Sequence, residues 1–92
     1  MKRQQLFALG QVVSTPKVLA FAEKYKIDLF QLLYRHQTGD WGNLDEQDKE
    51  SNEEALINNT RIFSSYSIAE DKIWLITEAD RSLTTFLMPS DY

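Results

Sequence analysis

The chain of 92 residues contains no cysteine and carries 14 acidic against 10 basic residues, for a formal net charge of −4. The missing thiols exclude a disulfide framework and a thiolate metal site, and because small secreted domains commonly need such cross-links, we expect a cytoplasmic protein. Hydrophobic residues make up 42 % of the sequence, which suits one modest core, so we predict a single domain over residues 1–92.

The chain opens with a short predicted strand followed by a helix. Residues 6–13 suit a β-strand with a break at Gly10, and their apolar stretch is too short for a signal peptide or a membrane span. Thr15 and Pro16 predict a helix start, because a hydroxyl caps unpaired N–H groups and proline has no N–H to leave unpaired. Apolar residues at three- and four-residue spacing give this helix one apolar face: Val18, Phe21, Ala22 and Tyr25.

Two further helices are predicted before the chain changes to strands. Asp28 can cap a helix that begins at Leu29 and ends near Gln37, where Gly39 suits the left-handed position after a helix. A third helix is predicted from near Asp45 to about residue 58. Acidic residues crowd its first turns, as the helix dipole favours, and its apolar residues lie at its C-terminal end. We expect that end to dock on the core.

The last third of the chain has the two-residue period of β-strands. Residues 61–68, 72–77 and 83–88 are predicted strands, joined by a tight turn at 69–71 and a longer connection at 78–82. Connections this short imply antiparallel neighbours, and Pro89 ends the ladder because it has no N–H to donate. The predicted fold class is α+β: a short N-terminal strand, three helices and then a three-stranded antiparallel β-meander.

Apolar residues alternate onto both faces of this predicted meander. Trp74 and Ile76 point to one side of the middle strand, and Ile73 and Leu75 point to the other. If three short helices cover one face, either the N-terminal segment or a partner must cover the second. An exposed apolar face on a small protein marks an interaction surface. We therefore expect a protein partner, and a homodimer and a different protein both remain open.

Charge is unevenly distributed along the chain. Residues 1–35 hold six basic and two acidic residues, whereas residues 40–54 hold seven acidic residues and one basic residue, Lys49. Nucleic-acid-binding proteins usually present a basic face, and this weak basic half, which includes Lys2 and Arg3, does not favour a nucleic-acid partner. The acidic run can be a solvated helix face, a divalent-cation site or a surface that competes for a basic groove on another protein.

Catalytic motifs are sparse. His36 is the only histidine, which excludes a multi-histidine metal site. With Asp40 nearby it could act as a general base, or it could interact with the end of its own helix. The sequence has no glycine-rich phosphate loop and no Gly-x-Ser-x-Gly turn. We therefore expect no cofactor and no metal, and we assign no catalytic residue.

The candidate binding residues lie in four segments of the chain. Arg81 could clamp a phosphate or a carboxylate with two parallel donors, or it and its neighbours could satisfy the backbone of a turn. The acidic helix supplies carboxylates at three- and four-residue spacing, and the loop before it holds a large aromatic side chain. The candidates are Asp40, Trp41, Asp48, Asn52, Glu53, Arg61, Tyr66, Glu78, Asp80 and Arg81.

Several short motifs occur in an order that resembles a known group of proteins. They are LGQVV (9–13), TP (15–16), RH (35–36), GDWG (39–42), NE (52–53), SSY (64–66), ITEADRS (76–82) and the ending L-x-P-x-x-Y (87–92). Over nearly the whole chain they resemble small bacterial plasmid-related proteins, found largely on mobile elements. The resemblance implies a bacterial origin and a mobile-element setting, and it supplies no site residues.

Proteins of this group often carry the label of a type I restriction modification subunit. Such a subunit needs a doubly wound sheet to hold S-adenosylmethionine and an Asn-Pro-Pro-aromatic pocket for a flipped adenine. This chain is too short for that sheet and contains no Asn-Pro-Pro sequence. We therefore discard the methyltransferase interpretation.

The leading hypothesis is a non-enzymatic protein-binding accessory factor. The two-sided apolar meander, the acidic helix and the missing catalytic sets support it. The mobile-element setting sharpens it to an anti-defence factor that occludes a nucleic-acid-binding complex. Two alternatives stay open: a small hydrolase or ribonuclease that uses His36 with nearby acids, and a weak nucleic-acid binder.

Overall fold

The chain forms one N-terminal strand, three helices and then three further strands. The computed structural model describes residues 4–92, so Lys2 and Arg3 of the predicted basic half lie outside the described residues. The elements are β1 (Gln11–Ser14), α1 (Pro16–Tyr25), α2 (Leu29–Gln37), α3 (Glu46–Asn58), β2 (Ile62–Ile68), β3 (Asp71–Thr77) and β4 (Leu83–Leu87), followed by a 3₁₀ turn, Pro89–Asp91. The α+β class is thus as predicted.

Each helix begins where its local sequence predicts. The side chains of Thr15, Asp28 and Asp45 accept hydrogen bonds from backbone N–H groups in the first turns of α1, α2 and α3. Lys26 after α1 and Asn59 after α3 have left-handed φ values of 57° and 55°, which lets the backbone turn away from the helix axis. Local side-chain chemistry therefore sets the helix boundaries.

The four strands form one mixed sheet in the order β1-β4-β3-β2. The pairs β2–β3 and β3–β4 are antiparallel, whereas β1 lies parallel to β4, with Gln11 opposite Leu83 and Ser14 opposite Phe86. The prediction of a plain three-stranded meander is therefore wrong. The N-terminal strand joins the sheet as a fourth, parallel member, a long-range contact that the local pattern does not encode.

The first strand is also shorter and later than residues 6–13. Gly10 has a φ of +64°, and a side chain there would collide with the backbone of Ser82, so the chain bends at this glycine. Before the bend the segment follows α2, where the Leu6 N–H donates to the Gln37 carbonyl over 2.9 Å. Only the residues after Gly10 can therefore pair with β4.

All three helices bury side chains against the same face of the sheet. Val18 of α1 and Leu32 of α2 join a cluster with side chains of β2, β3 and β4, and Ala55 of α3 packs with Trp41 and Ile62. Because side chains alternate along a strand, the sheet residues of these clusters share one face: Ile62, Tyr66, Ile73, Leu75 and Phe86.

The second face of the sheet, defined by Phe63, Trp74, Ile76 and Leu87, receives none of these helix contacts. The Phe63 and Trp74 rings are half-buried and meet edge-on, with centroids 5.2 Å apart. The segment that reaches this face is the C-terminal turn, whose Tyr92 ring lies 6.0 Å from that of Trp74. Residues 6 and 7 of the N-terminal segment pack on the helical side instead, so the prediction that this segment covers the second face is wrong. A partner on that face stays a prediction.

Candidate functional site

His36 lies in a buried chain of hydrogen bonds that crosses the sheet. Its Nδ1 is 2.6 Å from the hydroxyl of Ser64 on β2, and its Nε2 is 2.9 Å from the hydroxyl of Thr77 on β3. Thr77 bonds in turn to Thr84 on β4 over 2.8 Å, and Thr84 donates to the carbonyl of Leu9 over 2.7 Å. The four side chains that form these hydrogen bonds are all 0 % exposed: His36, Ser64, Thr77 and Thr84.

The Leu9 carbonyl, at the end of this series of hydrogen bonds, decides which group donates in the bonds before it. A carbonyl oxygen only accepts, so the single hydroxyl proton of Thr84 goes to Leu9, and Thr84 must accept from Thr77. Thr77 has then used its own proton and must accept from His36 Nε2–H. Because burial keeps the imidazole neutral, Nδ1 carries no proton and accepts from the Ser64 hydroxyl. This assigns the neutral Nε2–H tautomer to His36.

Aromatic rings close the surroundings of His36. The Phe7 ring lies 5.2 Å and the Trp41 ring 6.1 Å from the imidazole, both nearly perpendicular to it. Burial lowers the pKa of His36 from 6.5 to about 3, because a charged imidazole would lose its water without gaining a counter-ion. A base without access to solvent cannot reach a substrate, so this geometry does not favour a hydrolase or ribonuclease that uses His36.

Asp40 and Tyr66 are linked through Arg35. The Arg35 Nε donates to an Asp40 carboxylate oxygen over 2.7 Å, and its guanidinium carbon lies 4.6 Å from the centre of the Tyr66 ring. The Tyr66 hydroxyl donates to the Asp40 carbonyl over 2.8 Å. The hydrogen bond from Arg35 lowers the pKa of Asp40, and burial raises the pKa of Tyr66. These groups fix the loop after α2 onto the sheet.

The outer edge of β2 is closed by the protein's own polar groups. The Asn52 side chain donates to the Phe63 carbonyl over 2.6 Å and accepts from its N–H over 3.0 Å. The Ser65 N–H donates to the Trp41 carbonyl and the Ser65 carbonyl accepts from the Asn43 N–H, over 3.2 and 2.6 Å. The side-chain oxygen of Asn43 also accepts a hydrogen bond from the Ser67 N–H over 3.0 Å. The N–H groups of Phe63, Ser65 and Ser67, which point away from β3, are therefore all bonded. We call this side of β2 the closed edge.

Gly42 allows the loop to approach this edge. It forms an isolated bridge to Ser65 at a φ of +78°, and a side chain there would overlap the Ser65 carbonyl. Only glycine combines this backbone conformation with so close an approach. The GDWG motif of the sequence therefore serves to close β2.

Some polar side chains of the acidic helix α3 bond to other elements, and others are exposed to solvent. Asn52 closes β2, and Glu53 accepts a hydrogen bond from the Trp41 indole over 2.9 Å. Asp48 contributes its backbone N–H to the Asp45 cap over 2.8 Å, and Glu46 has a side chain that is 95 % exposed. Within residues 4–92 no cluster of three or more His, Asp or Glu side chains could hold a metal ion.

Arg81 caps the C-terminal end of α3. Its Nη2 donates to the Ala55 carbonyl over 2.9 Å, and its Nη1 donates to the Thr60 carbonyl over 2.7 Å and to the Glu78 carbonyl over 3.1 Å. The Ala55 carbonyl belongs to the last turn of α3, where carbonyls have no partner within the helix. The Thr60 and Glu78 carbonyls belong to the connections after α3 and β3. With both terminal nitrogens bonded to backbone, Arg81 is not arranged to clamp a phosphate.

Beside Arg81 the remaining candidates make local contacts. Arg61 and Glu78 form an exposed ion pair with 3.3 Å between nitrogen and oxygen. Asp80 accepts from the N–H and the hydroxyl of Ser82 over 3.0 and 2.6 Å, which lowers the pKa of Asp80. This is the turn-satisfying arrangement that was the alternative to a binding site.

The ten sequence candidates therefore do not converge on one cavity. Five of them lie around the closed edge and four around the 78–82 connection, while Asp48 stands apart on α3. The first group is Asp40, Trp41, Asn52, Glu53 and Tyr66, and the second is Arg61, Glu78, Asp80 and Arg81.

Strand β1, at the opposite edge of the sheet, is open. Gln11 and Thr15 direct their N–H groups to carbonyls of Ser82 and Phe86, over 3.0 and 3.1 Å. Because backbone groups alternate in direction along a strand, the N–H and C=O groups of Val12 and Ser14 point away from β4. Within the described part of the chain they bond to no other backbone group. We call this the open edge.

An apolar groove of about 370 Å³ runs beside the open edge, between β1 and the helices. Phe30 is 81 % exposed, Leu19 is 54 % exposed and Val12 is 40 % exposed. Of the seven large hydrophobic side chains exposed among residues 4–92, five belong to β1, α1 and α2. The residues that define this β1 groove are Val12, Leu19, Leu29, Phe30, Leu33 and Phe86.

The β1 groove is lined by apolar side chains, so none of the polar sequence candidates marks it. A signal was present: Leu19 lies outside the apolar face predicted for α1, and Phe30 widens the apolar face of α2. The expectation that Phe30 lies deep in the fold is wrong, since its side chain is 81 % exposed. Such side chains widen a helix face beyond what one small sheet can cover.

No protein-family model, curated protein or solved structure matches this chain. No helix among residues 4–92 is long and apolar enough to span a bilayer.

Proposed function

We propose that this protein is a non-enzymatic protein-binding module and that it binds through the open edge and the β1 groove. The observation that carries the proposal is the contrast between the two edges of the sheet. Polar groups close β2, whereas β1 leaves backbone donors and acceptors free beside exposed apolar side chains. Strand addition uses this combination, because backbone bonds supply affinity and a neighbouring groove receives alternate side chains.

The test compares surface variants that leave the core intact. Tagged native protein should retain a stoichiometric protein, whether a second copy or another chain, and Phe30→Lys should lose it because it places a charge in the β1 groove. Ile57→Lys is the matched control, since Ile57 on α3 is also 81 % exposed but belongs to neither the groove nor an edge. Native protein that emerges alone and monomeric, or Phe30→Lys that retains every partner, would contradict the proposal.

We also propose, from the resemblance to plasmid-related proteins, that the module is an accessory or anti-defence factor that occludes a nucleic-acid-binding complex. The exposed carboxylates of α3 support this version, because an acidic surface competes with nucleic acid for a basic groove. The protein should displace DNA from such a complex, and Glu46→Lys with Glu50→Lys should weaken the displacement. If the variant displaces DNA as well as the native protein does, α3 does not carry the anti-defence role.

A further inference from the structure

The open edge is complementary to itself. Val12 and Ser14 each present one outward N–H and one outward C=O, and they lie symmetrically on either side of Val13. When two copies of such a strand run antiparallel, Val12 faces the second copy's residue 14 and Ser14 faces its residue 12. Each facing pair exchanges two backbone hydrogen bonds, so all four outward groups of each copy are satisfied in one register.

We propose that β1 pairs with β1 of a second copy of this chain, antiparallel and with the two-fold axis beside Val13, to form a continuous eight-stranded sheet. This inference rests on the proposed protein-binding function and names its occupant. The symmetric arrangement is isologous, since the same surface of both copies takes part.

The β1 groove favours a second copy over an isolated peptide strand. The groove lies on the helical side of β1, and pairing about Val13 places the grooves of the two copies side by side. Leu19 and Phe30 of one copy then face an apolar surface of the same composition. A single added strand would meet the edge of β1 but would bring no helices to cover Phe30, which is 81 % exposed.

The distribution of charge is compatible with this pairing. Residues 45–54 hold six acidic residues and one basic residue, and α3 contacts β2 at the far end of the sheet. Pairing at β1 places seven strand spacings between the two copies of β2, roughly 34 Å at 4.8 Å each. This distance is several times the Debye length of about 8 Å at physiological salt, so the two acidic ends do not oppose association. Along α1 and up to the start of α2 the charges nearly balance, with Lys17, Lys24 and Lys26 against Glu23 and Asp28.

The test uses the absence of cysteine from the sequence. In the proposed register Val13 faces its own counterpart in a non-hydrogen-bonded pair, with Cα atoms about 4.5 Å apart, a separation that a disulfide can span. Val13→Cys should therefore oxidise rapidly and nearly completely to a covalent dimer at low protein concentration. Ile57→Cys is the control, equally free of other thiols and on an exposed helix position, and it should cross-link many-fold more slowly.

Light scattering of the native full-length chain supplies the second measurement. We expect twice the 10.7 kDa of one chain, and we expect Val12→Pro to lower the dimer fraction at least tenfold. That substitution removes an outward N–H, while the bonds from β1 to β4 use the neighbouring residues. Circular dichroism establishes that the variant is folded.

Three results would overturn the inference: a native monomer at micromolar concentration, a dimer in which Val13→Cys cross-links no faster than Ile57→Cys, or a dimer that Val12→Pro leaves intact. The proposed function fails separately. A monomer that binds a different protein through Phe30 would overturn the β1 pairing and leave the binding module standing, whereas a dimer indifferent to Phe30→Lys would place association on another surface.

Discussion

The pH dependence of stability tests the assignment of a neutral, buried His36. The pKa of this imidazole is lowered from 6.5 to about 3 in the folded protein, so the unfolded chain binds a proton that the native state excludes. Stability is therefore greatest above pH 6.5 and falls as the pH drops through 6.5, until the native imidazole itself titrates near pH 3. A proton on Nδ1 would also break the hydrogen bond that Ser64 donates to it.

The expected loss is large for a chain of this size. Well below pH 6.5 each pH unit costs about 1.4 kcal/mol, and between pH 7 and pH 5 the loss is about 2 kcal/mol because the titration begins only near 6.5. The window belongs to His36, the only histidine in the sequence. Asp40, Asp80 and Asp91 have lowered pKa values, and their contributions to stability are present above the usual value near 4 and are lost only at more acidic pH.

Urea unfolding followed by tryptophan fluorescence at pH 7, 6 and 5 measures this loss. Native protein should lose about 2 kcal/mol across the range, whereas His36→Gln, although less stable at pH 7, should show almost no slope. Nitrogen chemical shifts should report the Nε2–H tautomer in the folded state. Equal slopes in both proteins, or an imidazole that titrates near pH 6.5 while the protein is folded, would refute the reasoning.

Three further predictions concern the contacts that occupy the sequence candidates, each measured by urea unfolding at pH 7. Asn52→Leu should cost about 2 kcal/mol, since it leaves one donor and one acceptor of the β2 backbone unpaired; a loss below about 0.5 kcal/mol would mean that water replaces the amide without penalty. Arg81→Ala should cost about 1–3 kcal/mol through the carbonyls it satisfies, and Arg61→Ala less than about 1 kcal/mol because its ion pair is exposed, so equal losses would contradict this division. Glu70→Gly should stabilise the protein by about 1 kcal/mol, because Glu70 has a φ of +66°, and a destabilised variant would show that its side chain matters more than its backbone.

The helical part of the fold could be predicted because its signals are local. Thr15 with Pro16, Asp28 and Asp45 begin their helices through bonds to residues two or three positions away, and such bonds depend on nearby sequence alone. The place of β1 could not be predicted in this way. Its partner β4 lies about 70 residues further along the chain, and four residues carry too little pattern to specify either the neighbour or the parallel direction.

The candidate site was harder to predict for a related reason. Polar residues in loops look alike whether they bind a ligand or satisfy backbone groups. Trp41, Asn52 and Arg81 were candidate binding residues, yet their partners are backbone atoms or side chains of other elements. The sequence contains both members of each contact, but only the tertiary structure brings them together.

The unequal edges of the sheet have a consequence for how far assembly can proceed. A sheet with two open edges can add chains without limit and grow into a fibril. Here Asn43, Asn52 and the Trp41 carbonyl occupy the backbone of β2, so a chain that pairs at β1 presents no second edge for continued growth. Asn52, a candidate binding residue in the sequence, would thus act together with Asn43 and Trp41 to prevent polymerisation.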